Sequence, residues 1–257
     1  MVSLIEALFL GILQGITEWL PISSSAHLAL AQYFFSIKAD LYFDLILHLG
    51  TIVAVLAYYR KEIIGLIAGV LKMEKEQLRL AFYLFIAAVP TAIIGFAFKD
   101  FFGSMFSNPG AVAVALLVTG AFLIVASKAK ERAENDAKKS FVIGIAQGIA
   151  VAPGISRSGA TMGTGLLLGL KKEEAAEFSF LAGIVPILGA SLLEGRHAFS
   201  TAPELAPLVL GFAASAIVGY LSIGLLLKVL KESKLQYFGH YCIALAVLVW
   251  AALALGA

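Results

Sequence analysis

Along this chain the apolar residues come in long runs, where a soluble helix would show a stripe. A hydrocarbon core of about 30 Å is crossed by roughly 20 residues rising 1.5 Å each. Six runs reach that length, 41–60, 80–98, 110–127, 174–194, 204–228 and 237–256, and each predicts a membrane-spanning helix. Two further apolar stretches are broken near their middle. The first, 3–35, is interrupted by Pro21-Ile22-Ser23-Ser24-Ser25, and the second, 140–170, by Pro153-Gly154-Ile155-Ser156-Arg157-Ser158-Gly159. Neither half of either stretch is long enough to span, so each predicts a re-entrant helical hairpin. Within 61–79, Ile63, Ile64, Ile67, Val70 and Leu71 recur at helical spacing, which predicts a short interfacial helix. Residues 128–139 read as a charged linker.

Composition agrees with lipid as the main solvent. Of 257 residues, 60% are hydrophobic and 14% charged, with a mean hydropathy of +0.93; soluble domains run nearer 45–50% apolar and about 25% charged. A net charge of +2 without a basic, aromatic-interleaved stripe excludes a nucleic-acid footprint. The single cysteine, Cys242, lies in an apolar run and offers neither an intrachain disulfide nor a thiolate metal site. The opening MVSLIEALFLGILQGITEWLP has no basic leader and carries Glu6 and Glu18, so it is not expected to be a cleaved signal peptide.

The two broken stretches resemble each other. Laying 11–28 on 144–161 matches eight of eighteen positions, among them Gln14 with Gln147, Gly15 with Gly148, Ser23 with Ser156 and Ser25 with Ser158. This predicts one membrane domain over 1–257, built from repeat 1 at about 1–127, repeat 2 at about 140–257 and a cytoplasmic linker at 128–139. Each repeat would be a hairpin followed by three spans, and an odd number of spans turns the second repeat upside down relative to the first. The basic residues give an independent test. Every Lys and Arg from Arg60 to Lys139 except Lys99 falls on one face of this topology, with Lys171, Lys172, Lys228, Lys231 and Lys234; Lys38, Lys99 and Arg196 fall on the other, and Arg157 inside. The rich face is expected to be cytoplasmic, with both termini and the mouth of the first hairpin outside. The fold class expected is therefore an all-α integral membrane protein of two inverted repeats, six full spans and two re-entrant hairpins.

Broken helices at membrane depth expose half-helix N-termini, which attract anions. Ser23, Ser24, Ser25 and Ser156, Ser158 sit at such positions, where capping alone also explains serine. Arg157 changes that balance, because a guanidinium costs roughly 2.5–3.5 kcal/mol at mid-membrane and its planar fork suits phosphate oxygens; an ion pair with Glu18 is its second reading. Gly154 permits the turn before it, and Thr161 lies one helical turn beyond. In the first hairpin Gln14 and Glu18 share a face, and Glu18 is expected as metal ligand or proton acceptor. His27, three residues after Ser24, is expected to approach that hydroxyl. Asp44 and His48 either support the cavity or mark a span end, Glu177 and Glu194 read as near an interface, and His197 and His240 as loop and span-end residues.

These segments resemble the undecaprenyl-diphosphate phosphatases of the bacitracin-resistance type. That family carries [E/Q]-x-x-x-E running into P-x-S-S-x-x-H, here Gln14 to Glu18 and Pro21 to His27, and P-G-x-S-R-S-x-x-T, here Pro153 to Thr161. Gln14 stands where many members have Glu. The resemblance implies hydrolysis of a C55 isoprenyl diphosphate to the monophosphate, which recycles the carrier for cell-wall glycans and confers bacitracin resistance, with a divalent cation, Mg²⁺ or Ca²⁺. Glu18, Ser24, His27 and Arg157 would be catalytic. Gln14, Ser23, Ser25, Gly154, Ser156, Ser158 and Thr161 would contact the diphosphate, and Glu18 the metal. Ser24 could attack phosphorus with His27 handling the proton, or His27 and Glu18 could activate water. The expected partners are this lipid and the surrounding plasma-membrane lipids, with a homodimer left open. A secondary transporter or flippase with a midplane anion site is the competing reading.

Overall fold

The computed structural model describes residues 2–198, 204–232 and 234–256, with the backbone alone for 190–198. Glu194, Arg196 and His197 therefore lie outside the residues whose side chains are described. Among the described residues every regular element is a helix: α1 Leu4–Trp19, α2 Ser24–Phe34, α3 Leu41–Tyr58, α4 Arg60–Leu71, α5 Lys75–Ala97, α6 Lys99–Phe106, α7 Pro109–Ala126, α8 Ala137–Ile149, α9 Arg157–Leu167, α10 Lys172–Ala198, α11 Leu205–Lys231 and α12 Gln236–Ala254. Among the described residues α3, α5, α7, α11 and α12 are long and apolar enough to cross a membrane. The predicted 174–194 span falls within α10.

Local chemistry fixes where these helices start and stop. Ser3 and Glu6 form a reciprocal capping box on α1, which ends at Trp19, two residues short of Pro21. Asp40, Asn108 and Asp136 cap α3, α7 and α8 through their side chains, with Pro109 in the first turn of α7. The helix expected within 61–79 is α4, with Ile64, Ile67 and Leu71 exposed. The short helix α6 was not anticipated. Its aromatic stripe of Phe98, Phe101, Phe102 and Phe106 follows helical spacing in a segment whose charged start, Lys99-Asp100, reads as a loop.

Polarity is arranged opposite to that of a soluble protein. Phe82, Phe85, Val89, Ile93 and Phe96 make an exposed stripe along α5, and Ile5, Leu8, Phe9, Ile12 and Ile16 another along α1, while Gln14, Glu18 and Gln147 are buried. The short helices α1 and α8 lie against long ones, α1 along α11 and α8 along α5; α7 packs on α12 and α3 on α11. Close approach explains those pairings. A Cβ on Gly11 would sit 2.5 Å from the Gly211 carbonyl oxygen, and one on Gly144 would sit 2.2 Å from that of Ala87. Gly11-x-x-x-Gly15 and Gly144-x-x-x-Gly148 thus give each short helix a flat face for its neighbour.

Candidate active site

The breaks after α1 and α8 meet. Only Leu20, Pro21, Ile22 and Ser23 separate α1 from α2, and Ser23 adopts φ +68°, ψ 93°, a region costing a non-glycine residue about 1–3 kcal/mol. Its hydroxyl accepts the amides of Ala26 at 3.4 Å and, from the other break, of Gly154 at 3.2 Å. Gly154 has φ +98°, and a Cβ there would fall 2.5 Å from Ala115 Cβ. Thr119 of α7 steadies this second turn by donating to the Gly154 carbonyl at 2.8 Å and accepting from the Ser156 amide at 3.2 Å. Ser158 Oγ donates to the Leu20 carbonyl at 3.1 Å, a further tie between the two turns. Ser156 caps α9 through the Gly159 amide, as the capping reading expected. The serine pairs Ser23 with Ser25 and Ser156 with Ser158 make equivalent hydroxyl contacts of 3.2 and 3.3 Å.

Glu18 is the centre of the cluster and is 7% exposed. Its Oε2 accepts Gln14 Nε2 at 3.0 Å and Ser24 Oγ at 2.6 Å, and its Oε1 accepts Arg157 Nη2 at 2.6 Å. The guanidinium lies over Trp19, 5.0 Å from the ring centroid, in space opened by Gly183 of α10. Its Nη1 is buried without a hydrogen-bond partner, and so is the amide oxygen of Gln14. The ion pair that was the second reading of Arg157 is therefore formed, and it leaves one face of the guanidinium available.

Two expectations change. Ser24 donates to Glu18, and His27 does not take up that hydroxyl. The His27 ring is committed elsewhere, with Nδ1 donating to the Ser23 carbonyl at 2.7 Å and Nε2 accepting the Tyr241 hydroxyl at 2.8 Å. Both residues stand in the first turn of α2, but the imidazole turns to the Ser23 carbonyl and to Tyr241 while the Ser24 hydroxyl reaches Glu18 of α1. Thr161 is buried with its hydroxyl donated to the Arg157 carbonyl and 2.6 Å from Ser179 Oγ, so it fastens α9 to α10 and does not face the carboxylate. His48, left undecided by sequence, places Nε2 3.6 Å from Glu18 Oε2 while Nδ1 donates to the Asp44 carbonyl; the Asp44 carboxylate accepts Gln32. Glu177 borders a separate cavity of about 530 Å³ with Glu173, Glu174 and Arg79.

Sequence reasoning passed over Tyr241, Thr119, Ser179, Gly183 and Trp19. Only Gly183 carried a signal, because it aligns with Gly50 in the repeat register. Among the described residues no group of three His, Cys, Asp or Glu side chains converges as a complete metal cage. One carboxylate and one unpartnered amide oxygen, from Glu18 and Gln14, nevertheless suit a hard cation that takes its other ligands from a phosphate-bearing substrate.

A chain that turns its large apolar side chains outward and gathers an acid, hydroxyls and a guanidinium between its helix ends is a multi-pass membrane protein with a polar site inside its bundle. The model of the family described as bacitracin resistance protein BacA matches residues 7–248, and the chain belongs to that family. It is similar to an undecaprenyl-diphosphatase of Caldicellulosiruptor bescii, 43% identical with 96% of both chains covered. An undecaprenyl-diphosphatase of Carboxydothermus hydrogenoformans is 39% identical, covering 95% of both. One from Methanococcus vannielii is also 39% identical, covering 95% of this chain and 98% of its own.

Proposed function

We infer that this protein hydrolyses undecaprenyl diphosphate to undecaprenyl phosphate and inorganic phosphate, recycling the lipid carrier for cell-wall glycans and so conferring bacitracin resistance. The observation that carries the mechanism is the 2.6 Å hydrogen bond from Ser24 Oγ to Glu18 Oε2, which pairs a nucleophile with a base. Ser24 Oγ attacks the terminal phosphorus and its proton passes to Glu18. The bond from that phosphorus to the bridging oxygen breaks, releasing the isoprenyl monophosphate. Water then attacks the phosphoseryl phosphorus; the serine oxygen leaves with the proton held on Glu18, and the protons of water stay on the released phosphate. Arg157 keeps Nη2 on Glu18 and offers Nη1 to the phosphate oxygens, where fixed positive charge does most of the work in phosphoryl transfer. The Ser156 and Ser158 region adds the amide end of α9. Ser23, Ser25 and Gly154 shape the turns around the diphosphate. A divalent cation, Mg²⁺ or Ca²⁺, would be held by Glu18, Gln14 and substrate oxygens, and would draw negative charge from the diphosphate.

The architecture we propose around this site is a single membrane domain of two inverted repeats, 1–127 and 140–257, joined by the linker 128–139, each opening with a re-entrant hairpin. Support comes from the reciprocal packing of α1 on α11 and α8 on α5, because the corresponding helix of each half leans on the other half. The bias of basic residues supports cytoplasmic loops at 60–79 and 128–139 in the plasma membrane, with the site opening outward.

The test is phosphate release from farnesyl and undecaprenyl diphosphates by purified protein, with and without EDTA, together with trapping of phosphoserine at Ser24. A folded sample that releases no phosphate under any cation condition would move the reading to lipid transport. Substantial turnover by Ser24→Ala would instead assign the attack to water.

A further inference from the structure

Tyr241 lies on α12, far along the chain from the hairpin it touches, and nothing in the motifs involves it. Its hydroxyl is 2.8 Å from His27 Nε2, and the two ring planes are within 4° of parallel. The other side of the imidazole settles which atom carries the hydrogen. Nδ1 is 2.7 Å from the Ser23 carbonyl oxygen, which can only accept, so Nδ1 holds the hydrogen and Nε2 receives the one from Tyr241. His27 also gives that carbonyl its backbone amide, at 3.3 Å.

That carbonyl belongs to the peptide unit joining Ser23 to Ser24. A peptide unit is rigid and planar, so fixing its oxygen fixes the Cα of Ser24 at its far end. Ser23 holds φ +68°, a conformation that a serine keeps only where its surroundings over-determine it. The neighbour of Tyr241 helps on the same side, with Cys242 Sγ 3.9 Å from the Pro21 carbonyl oxygen. Two consecutive residues of α12 therefore bear on the turn that presents the nucleophile, Cys242 at Pro21 and Tyr241 through His27 at Ser23.

We propose that Tyr241 is a positioning residue for the phosphoryl transfer: it sets the tautomer and plane of His27, and His27 grips the Ser23–Ser24 peptide so that the Ser24 hydroxyl stays on Glu18. This rests on Ser24 as nucleophile. Tyr241 is 44% exposed on the outer surface of α12, so it acts through His27 and not on the reacting atoms.

The experiment combines kinetics on farnesyl diphosphate with ¹⁵N-histidine NMR of the purified protein. In the wild type, the His27 ring should read as the Nδ1–H tautomer with Nε2 accepting a hydrogen bond; an Nε2–H ring overturns the proposal without any variant. Tyr241→Phe keeps the ring and removes the hydroxyl. It should lower kcat about tenfold, the effect of one neutral hydrogen bond, with KM unchanged, and shift the Nε2 resonance. In a His27→Ala background the same substitution should change kcat less than twofold. Wild-type kcat in Tyr241→Phe, or effects of Tyr241→Phe and His27→Ala that multiply, would overturn it. The nucleophile fails on a different readout, turnover by Ser24→Ala with no trapped phosphoserine, whereas the tautomer and the Tyr241–His27 coupling are read independently.

Discussion

Gly183 of α10 makes no hydrogen bond to the site, yet it determines where the guanidinium can lie. A methyl group added there would be 1.7 Å from Arg157 Nη1 and 2.5 Å from Cζ. Ordinary contact begins near 3.4–4 Å, so in Gly183→Ala the guanidinium must move by about 2 Å. It is sandwiched between Trp19 and α10, and its Nη2 stands 2.6 Å from Glu18. A shift of that size breaks the hydrogen bond and carries Nη1 away from where it would meet a phosphate oxygen. Misplacing a positioned group by about 1 Å can cost ~10²-fold, so kcat/KM should fall at least that far, while the helical bundle persists. Gly189 supplies the control, since it lies on the same helix with nothing within 4 Å of an added Cβ. Gly189→Ala should keep wild-type activity and melt no lower, because alanine is the better helix former. Phosphate release by both variants, beside their thermal melts, decides the matter. Activity within threefold of wild type in Gly183→Ala would refute the reasoning, because the guanidinium would then not need the place it occupies.

Other outcomes follow from the same contacts. Arg157→Ala should abolish phosphate release, and Arg157→Lys should not restore it, since an ammonium cannot hold Glu18 and a phosphate oxygen in one plane; near-normal kcat/KM in either would contradict the assigned clamp. Thr119→Val removes the donor to Gly154 and the acceptor for Ser156 at equal volume, and should lower stability by about 1–3 kcal/mol with a parallel loss of activity, read by thermal melts and turnover. Gln14→Glu adds a second carboxylate beside Glu18 and should lower the cation concentration that restores activity after EDTA treatment; an unchanged cation titration would remove position 14 from the proposed cation site.

The spans were legible because lipid demands a run of a certain length, and 41–60, 110–127 and 237–256 became helices bounded within a few residues of those limits. The serines and Arg157 were legible because polar groups are expensive in such a sequence. Pairings across the hairpins were less so. Helical spacing put His27 beside Ser24, and it failed because the Ser23 carbonyl and the Tyr241 hydroxyl take both ring nitrogens, partners that no pattern of apolar residues encodes. Tyr241 and Thr119 were invisible for another reason: a tyrosine or threonine in an apolar run looks the same whether it meets lipid or a turn of the candidate site, and only the packing of α12 and α7 distinguishes the two.

The partners of the buried ion pair, Glu18 and Arg157, stand 139 positions apart. A ribosome makes the carboxylate long before the guanidinium, and with α11 still later than either, α1 has no lasting seat when it first enters the bilayer. The emerging first half must hold Glu18 with only Gln14, Ser24 and His48 beside it until the second half brings the guanidinium. Assembly of the site is thus a late event of biogenesis, and a nascent chain halted before α9 would be a natural client for membrane quality control.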